Sequence, residues 1–158
     1  MIRLARADDR ARIVELLGDS RIGAEFDRPD GVSGFVFPFD PAYAERMFAI
    51  YLRDPTKLAL VYSSGFDVPQ GVLLAHTYEH DFGPVPMSQE RVWWIDPAHR
   101  GGSAAARMLN YYEGWAFDDQ GCLFVGMAGM GDDPVVAKLY SRRGYVRAET
   151  NYLLRHAA

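Results

Sequence analysis

The chain has one cysteine, Cys122, among its 158 residues. An intrachain disulfide and a metal centre built from several thiolates are therefore excluded. Cys122 opens the apolar run Cys122-Leu123-Phe124-Val125, which reads as a buried core position and not as the setting of a nucleophile. No run approaches the ~18 apolar residues of a membrane-spanning helix. No apolar stretch near Met1 resembles a secretion signal, so the cytoplasm is the expected compartment and no membrane partner is expected. Positive charge is in deficit: 17 Lys and Arg face 21 Asp and Glu, a formal net charge of −4. Nucleic-acid binding needs a basic surface, so nucleic acid is not an expected partner. A cationic substrate is compatible with this balance. H-x-x-H and H-E-x-x-H patterns, which would hold a metal, are missing. So are internal repeats and low-complexity tracts.

What is present is a composition of 49% hydrophobic and 24% charged residues, that of one ordinary globular domain spanning residues 1–158. Ile2 and Leu4 alternate with polar or small neighbours and predict a strand over residues 1–5. Asp8 or Asp9 then caps a helix with Ile13, Leu16 and Leu17 on its apolar face, stopping at Gly18 or running on to Ile22. Residues 25–40 read as a loop containing Phe35, Phe37 and Phe39. Asp40-Pro41 has the form of an N-cap followed by proline in the first turn, and Ala44, Met47, Phe48 and Tyr51 follow at helical spacing. Lys57–Ser63, Gly71–His80 and Glu90–Ile95 read as three strands, the first two joined by a turn and so antiparallel. A helix follows over Ser103–Gln120, with Ala104, Met108, Tyr111, Tyr112 and Trp115 on one side and Gly121 at its end. Leu123–Met127 reads as a strand. Asp133-Pro134 starts a short helix that ends at Gly144, and Tyr145–Arg155 closes the chain as a strand. The order β-α-α-β-β-β-α-β-α-β predicts a mixed α/β (α+β) domain with helices on both faces of one sheet.

The chemistry is concentrated in Trp93-Trp94-Ile95-Asp96-Pro97-Ala98-His99-Arg100-Gly101-Gly102-Ser103-Ala104-Ala105. A strand here leads through a tight turn into a helix whose first residues are all small. The first amides of a helix have no internal partner, and with the helix dipole they favour an anion. Little side chain stands between Gly101 and Ala105, so a diphosphate can approach the backbone, and Arg100 adds charge and directional donors. No lysine precedes Ser103, so the segment is not a GxxxxGK[ST] loop.

Arg100-Gly101-Gly102-Ser103-Ala104-Ala105 resembles the coenzyme A pyrophosphate loop of the GNAT acyltransferase superfamily, with serine at position 103 where glycine is usual. Val136-Ala137-Lys138-Leu139-Tyr140-Ser141-Arg142-Arg143-Gly144-Tyr145 resembles that family's closing signature, with Asp133 in the position of its asparagine. The two motifs together cover roughly residues 90–155, and the Trp-Trp-Ile-Asp-Pro form is similar to small acetyltransferases of bacteria and their phages. The resemblance implies the GNAT fold, a mostly antiparallel central sheet with a splayed strand pair. It implies acetyl-coenzyme A as acyl-donor cosubstrate, without a metal. The pantetheine arm would bond to the backbone of Trp94 and Ile95, and the diphosphate would bind Arg100, Gly101, Gly102, Ser103, Ala104 and Ala105, with Asp133 as a further cofactor contact. Direct transfer to a primary amine of a small molecule or protein is the implied reaction. Tyr140 is the implied acid for the leaving thiolate, and a homodimer is the implied assembly.

Glu90, at the start of the strand leading to the loop, is the first candidate for general base, with Glu79 and His80 as rivals. His76, Tyr78 and His80 share one strand face, Glu79 the other. Trp93 and Trp94 point to opposite faces of their strand. The resemblance implies that Phe35, Phe37 and Phe39 border the acceptor site; a hydrophobic loop folded onto the core is the other reading of them. Two other readings were weighed against an enzyme. Gly126-Met127-Ala128-Gly129-Met130-Gly131 has GxxGxG spacing and not the GxGxxG of a dinucleotide loop, and only 27 residues follow it. A non-catalytic acyl-coenzyme A sensor or protein-interaction module of the same fold is the alternative.

Overall fold

The computed structural model describes residues 1–22, 37–65, 67–128 and 134–148. Strand β1 (Ile2–Leu4) leads through a single 3₁₀ turn (Ala7–Asp9) into helix α1 (Arg10–Ile22). Helix α2 (Pro41–Tyr51) is followed by strands β2 (Lys57–Tyr62), β3 (Gly71–Glu79) and β4 (Pro86–Ile95). A 3₁₀ turn (Pro97–His99) connects β4 to helix α3 (Ala104–Gly114), whose last turn widens into a π-helical turn over Trp115–Asp119. Strand β5 (Phe124–Gly126) and helix α4 (Pro134–Arg142) complete the described elements. This is the mixed α/β architecture expected from the sequence.

The five strands lie in sequence order in one sheet. Strands β1 to β4 are antiparallel, while β5 is parallel to β4. Alternation along each strand sends side chains to two cores. Leu58, Leu60, Leu73, Ala75 and Ile95 pack against Met108, Leu109 and Tyr112 of α3. Ala59, Val61, Val72 and Leu74 pack against Ile13 and Leu16 of α1 and Phe48 and Tyr51 of α2.

Several local signals act as read. The Asp40 carboxylate accepts from the Tyr43 amide at 3.1 Å and caps α2. Gly121 and Gly144 take positive φ (66° and 86°) at the ends of the third and fourth helices. Cys122 is buried.

Others differ. Asp9 does not cap α1 in the ordinary way. It accepts from the Arg6 amide (2.7 Å) and is paired through both oxygens with Arg3 (2.7 and 2.9 Å). Helix α1 runs through Gly18, where a Cβ would meet the Phe39 ring at 3.1 Å, so this glycine makes room for an aromatic instead of ending the helix. Tyr111 is 38% exposed, and Leu109 takes the buried position expected of it. Strand β4 starts at Pro86, four residues before the expected Glu90, because Ser88 is buried by hydrogen bonding and not by apolar character. Its Oγ donates to the His76 carbonyl (3.1 Å) and lies 3.0 Å from the Tyr112 hydroxyl. Residues 145–148, the start of the expected closing strand, are not strand. The rest of that strand, Phe35, Asp133 and the glycines at 129 and 131 lie outside the described residues.

Arg3 and Asp9 form the most enclosed ion pair described, with side chains 10% and 7% exposed. Burial alone would raise the Asp9 pKa, but the hydrogen bonds from Arg3 and the Arg6 amide outweigh it and hold the carboxyl below its ordinary value. Asp9→Asn leaves Arg3 without its buried carboxylate partner, with only the more exposed Asp67 remaining, and is expected to lower the unfolding free energy by about 2–3 kcal/mol at neutral pH in urea titrations. A depressed folded-state pKa stabilises above the unfolded value of 3.8, and that stability is lost as pH falls through the folded-state value. The acid destabilisation of the native chain should therefore be steeper than that of Asp9→Asn.

Candidate active site

Strands β4 and β5 pair over three positions only: Met87 with Phe124, Ser88 with Val125, and Gln89 with Gly126. The Tyr112 hydroxyl, 3.2 Å from the Gly126 carbonyl and 3.0 Å from Ser88 Oγ, ties α3 to both strands at the end of this ladder. Immediately beyond it, the Ala128 amide donates to Glu90 Oε2 at 3.1 Å. A side chain thus takes the place of the next main-chain contact, and β4 continues to Ile95 while residues 127 and 128 are no longer strand. Among the described residues the sheet forks here, and the edge of β4 beyond Glu90 forms one wall of a slot.

The main chain that lines this slot follows from the ladder on the other edge. The Asp96 amide donates to the Gln70 carbonyl at 2.9 Å, and Val72 faces Trp94. Antiparallel hydrogen bonding repeats every two residues, so Trp94 is bonded to β3 while Trp93 and Ile95 turn their N–H and C=O groups toward the slot. This corrects the expectation for Trp94, whose backbone is already committed to the sheet. Trp94 contributes its ring instead: the Arg100 guanidinium lies over it, 4.3 Å from the centroid, and Arg100 Nε donates to the Ile95 carbonyl at 2.8 Å. Trp93 and Trp94 do lie on opposite faces, Trp93 toward α3 and Trp94 toward α1 and α2. Both indole N–H groups are buried without an acceptor among the described residues.

At the end of the slot, Gly101 and Gly102 take φ of 91° and 61°, values that only glycine adopts without strain. A Cβ built on either meets nothing within 4 Å, so no side chain covers the corner. The first hydrogen bond of α3 runs from the Arg107 amide to the Ser103 carbonyl (2.9 Å). The amides of residues 101–106 therefore have no acceptor among the described residues. Arg100, folded back over Trp94, leaves them open, and the Ser103 side chain makes no capping bond. Ala104 is buried beneath the corner and Ala105 is half-buried.

Two titratable groups are buried on the α3 side of the sheet near the fork. Glu90 is 4% exposed, and burial pushes its pKa up to about 7 against the opposing pull of the Ala128 amide and the Arg91 charge. It is an interior residue of β4, not the start of the strand as expected from the sequence. Tyr140 of α4 packs on Trp93 (ring centroids 6.2 Å) and on Tyr145 (5.5 Å). Burial and the Glu90 charge raise its pKa, and its hydroxyl has no hydrogen-bond partner among the described residues. Helix α4 is held by Arg143 and Tyr145, which both bond Glu113 of α3. The rival bases lie elsewhere. Glu79 is exposed at the end of β3, and His80 accepts from the Phe82 amide (3.2 Å) in the β3–β4 hairpin. Phe37 is 48% exposed, and Phe39 packs on Gly18.

One site residue had no sequence signal. The β3–β4 register slips between Leu74, which faces Val92, and Ala75, which faces Glu90, so Arg91 is the extra residue of a bulge. No composition or spacing rule marks a bulge within a charged pair such as Glu90-Arg91.

Among the described residues, no group of three or more His, Cys, Asp or Glu is placed to hold a metal, and no helix is long and apolar enough to cross a membrane. No curated protein sequence matches the chain. Solved structures match it over nearly its whole length. A transcriptional regulator from Bacillus halodurans superposes with a TM-score of 0.77 at 16% identity, covering 99% of each chain. A ribosomal-protein-alanine N-acetyltransferase from Brucella melitensis gives 0.69 at 17% identity, also covering 99% of each chain. An aminoglycoside 6'-N-acetyltransferase from Acinetobacter haemolyticus gives 0.70 at 15% identity, covering 100% of this chain and 99% of that one. At these identities the likeness is one of fold. The acetyltransferase (GNAT) family model matches residues 24–145, and with the forked sheet and the open glycine corner this places the chain in the GNAT acetyltransferase family.

Proposed function

We propose that the chain transfers an acetyl group from acetyl-coenzyme A directly to a primary amine. The observation that carries this reading is the continuity of the slot with the glycine corner: outward main-chain groups of Trp93 and Ile95 lead to a row of free amides at residues 101–106. The corner fits a diphosphate, since its donors are main-chain N–H groups at a helix start and no side chain intrudes. The Trp93 and Ile95 main chain suits an extended pantetheine arm, bound as an added strand would be. Arg100 sits between the two, and to reach the phosphates its guanidinium would exchange its contacts with Trp94 and the Ile95 carbonyl for them.

Glu90 and Tyr140 supply the proton transfers. Glu90, poised near neutrality, takes one proton from the ammonium and leaves a free amine. The amine lone pair attacks the thioester carbonyl carbon, and collapse of the adduct breaks the C–S bond. Tyr140, kept protonated by its raised pKa, gives its proton to the departing thiolate and recovers one from the new amide nitrogen. Glu90 returns its proton to solvent. Placement of the two reactants in one slot supplies the larger part of the acceleration, ~7–11 kcal/mol in well-oriented cases.

Three outcomes are expected from assays of thiol release with an amine panel. Glu90→Gln should lower kcat roughly 100-fold or more. In the native chain, kcat should fall about tenfold per pH unit below about 7, because the raised Glu90 pKa leaves the base protonated there, and this limb should vanish in Glu90→Gln. Tyr140→Phe should lower kcat about tenfold or more with little change in coenzyme A affinity. Gly102→Val should act on binding instead, since a β-branched residue at a φ of 61° is strained by about 1–2 kcal/mol and stands over the free amides. Its dissociation constant for coenzyme A, by calorimetry, should rise at least about tenfold. Coenzyme A binding without turnover of any amine would instead favour a sensor of the same fold.

A further inference from the structure

One main-chain group of the slot is already occupied by the chain itself. The Ile95 carbonyl turns toward the slot, where an added strand would bond to it, yet it accepts from Arg100 Nε at 2.8 Å. An N–H of a bound arm would stand about 2.9 Å from the same oxygen, so the two donors compete for one approach. The guanidinium is held in place by that bond and by the Trp94 ring, 4.3 Å from its centroid. No carboxylate holds it. Asp96, at the start of the same turn, is paired with Arg12 of α1, and Arg100 makes no ion pair among the described residues. Its two Nη groups are likewise without hydrogen-bond partners among the described residues.

Charge decides what can displace Arg100. The neutral amide of a pantetheine arm offers the Ile95 carbonyl an ordinary hydrogen bond in place of a charge-assisted one, and the ring contact is lost as well. That exchange is unfavourable. A diphosphate on the free amides of residues 101–106 reverses the balance, because its oxygens can take both prongs of the guanidinium. Arg100 directly precedes Gly101, which puts the corner within reach of its side chain.

We propose that Arg100 selects the acyl carrier: it closes the Ile95 end of the slot to pantetheine thioesters that lack a diphosphate, and opens it to coenzyme A, whose diphosphate draws the guanidinium away. This rests on the coenzyme A reading of the slot above. The test compares dissociation constants for coenzyme A, by calorimetry, and for free pantetheine, by chemical-shift titration, so no amine acceptor is needed. Missing phosphate contacts weaken pantetheine in any chain, but a slot occupied by Arg100 adds a crossed response. Arg100→Ala should tighten pantetheine about three- to tenfold and weaken coenzyme A several-fold, so that the preference for coenzyme A falls by about tenfold or more. In the native chain, saturating inorganic diphosphate should tighten pantetheine by a similar factor, and this coupling should vanish in Arg100→Ala. Pantetheine affinity that is unchanged or weaker in Arg100→Ala, insensitive to diphosphate in the native chain, or absent from both chains would overturn the assignment. So would a gain in coenzyme A affinity equal to that for pantetheine. Failure of the native chain to bind coenzyme A would instead overturn the acetyl-transfer reading itself. Arg100 is exposed, and matching circular dichroism of the two chains separates carrier selection from misfolding.

Discussion

The site depends on one exchange of partners, in which the Ala128 amide is bonded to the Glu90 side chain and not to the main chain of β4. Strands joined by their backbones stand about 4.8 Å apart. A glutamate side chain inserted into that contact replaces the main-chain bond that would continue the ladder past Gln89 and Gly126 among the described residues. The same contact fixes the acid–base character of the carboxylate. Burial favours the neutral acid, while the amide and the neighbouring Arg91 favour the anion, and the balance falls at about 7. Opening the sheet and tuning the base are thus one structural event. The Tyr112 hydroxyl, bridging the two strands just before the fork, keeps the separation from spreading back into the paired region.

A slot is useful only if its far end is held in register with its centre, and the contacts around Asp96 do this. Asp96 follows the last residue of β4 and is bonded through its amide to Gln70 and through its carboxylate to Arg12 of α1. Arg12 also donates to the Pro69 carbonyl at 3.1 Å. The start of the glycine corner is therefore tied to α1 and to the β2–β3 turn, while its tip is left free. Fixed flanks around free amides spare the corner much of the ordering cost that a ligand would otherwise meet.

How much of this was legible in the sequence depends on what each feature is made of. Helix limits at Asp40-Pro41 and Gly144 and the glycine corner were legible because backbone geometry demands those residue types. The two cores were legible because burial by apolar side chains has a period. What was missed is polar burial and register. Ser88 is fully enclosed yet reads as a loop residue, so β4 was expected to start too late. Asp9 and Asp96 face partners, Arg3 and Arg12, that the fold brings together, and Gly18 ran on as helix because its missing side chain faces Phe39. The commitment of Trp94 to β3 depends on a hydrogen-bonding phase that side-chain alternation leaves undetermined.

The bulge shows why register is the most consequential of these. Ala75 and Leu73 belong to the α3 core, and their partners Glu90 and Trp93 therefore face α3 as well. Glu90 and Trp93 are three positions apart, an odd offset that a regular strand would place on opposite faces. Without the extra residue, either Glu90 would turn away from Tyr140 or Trp93 and Trp94 would exchange faces, carrying the ring out from under Arg100. A regular β4 could hold the base or the wall of the slot in place, but not both. The inserted residue, Arg91, reconciles them and is itself exposed.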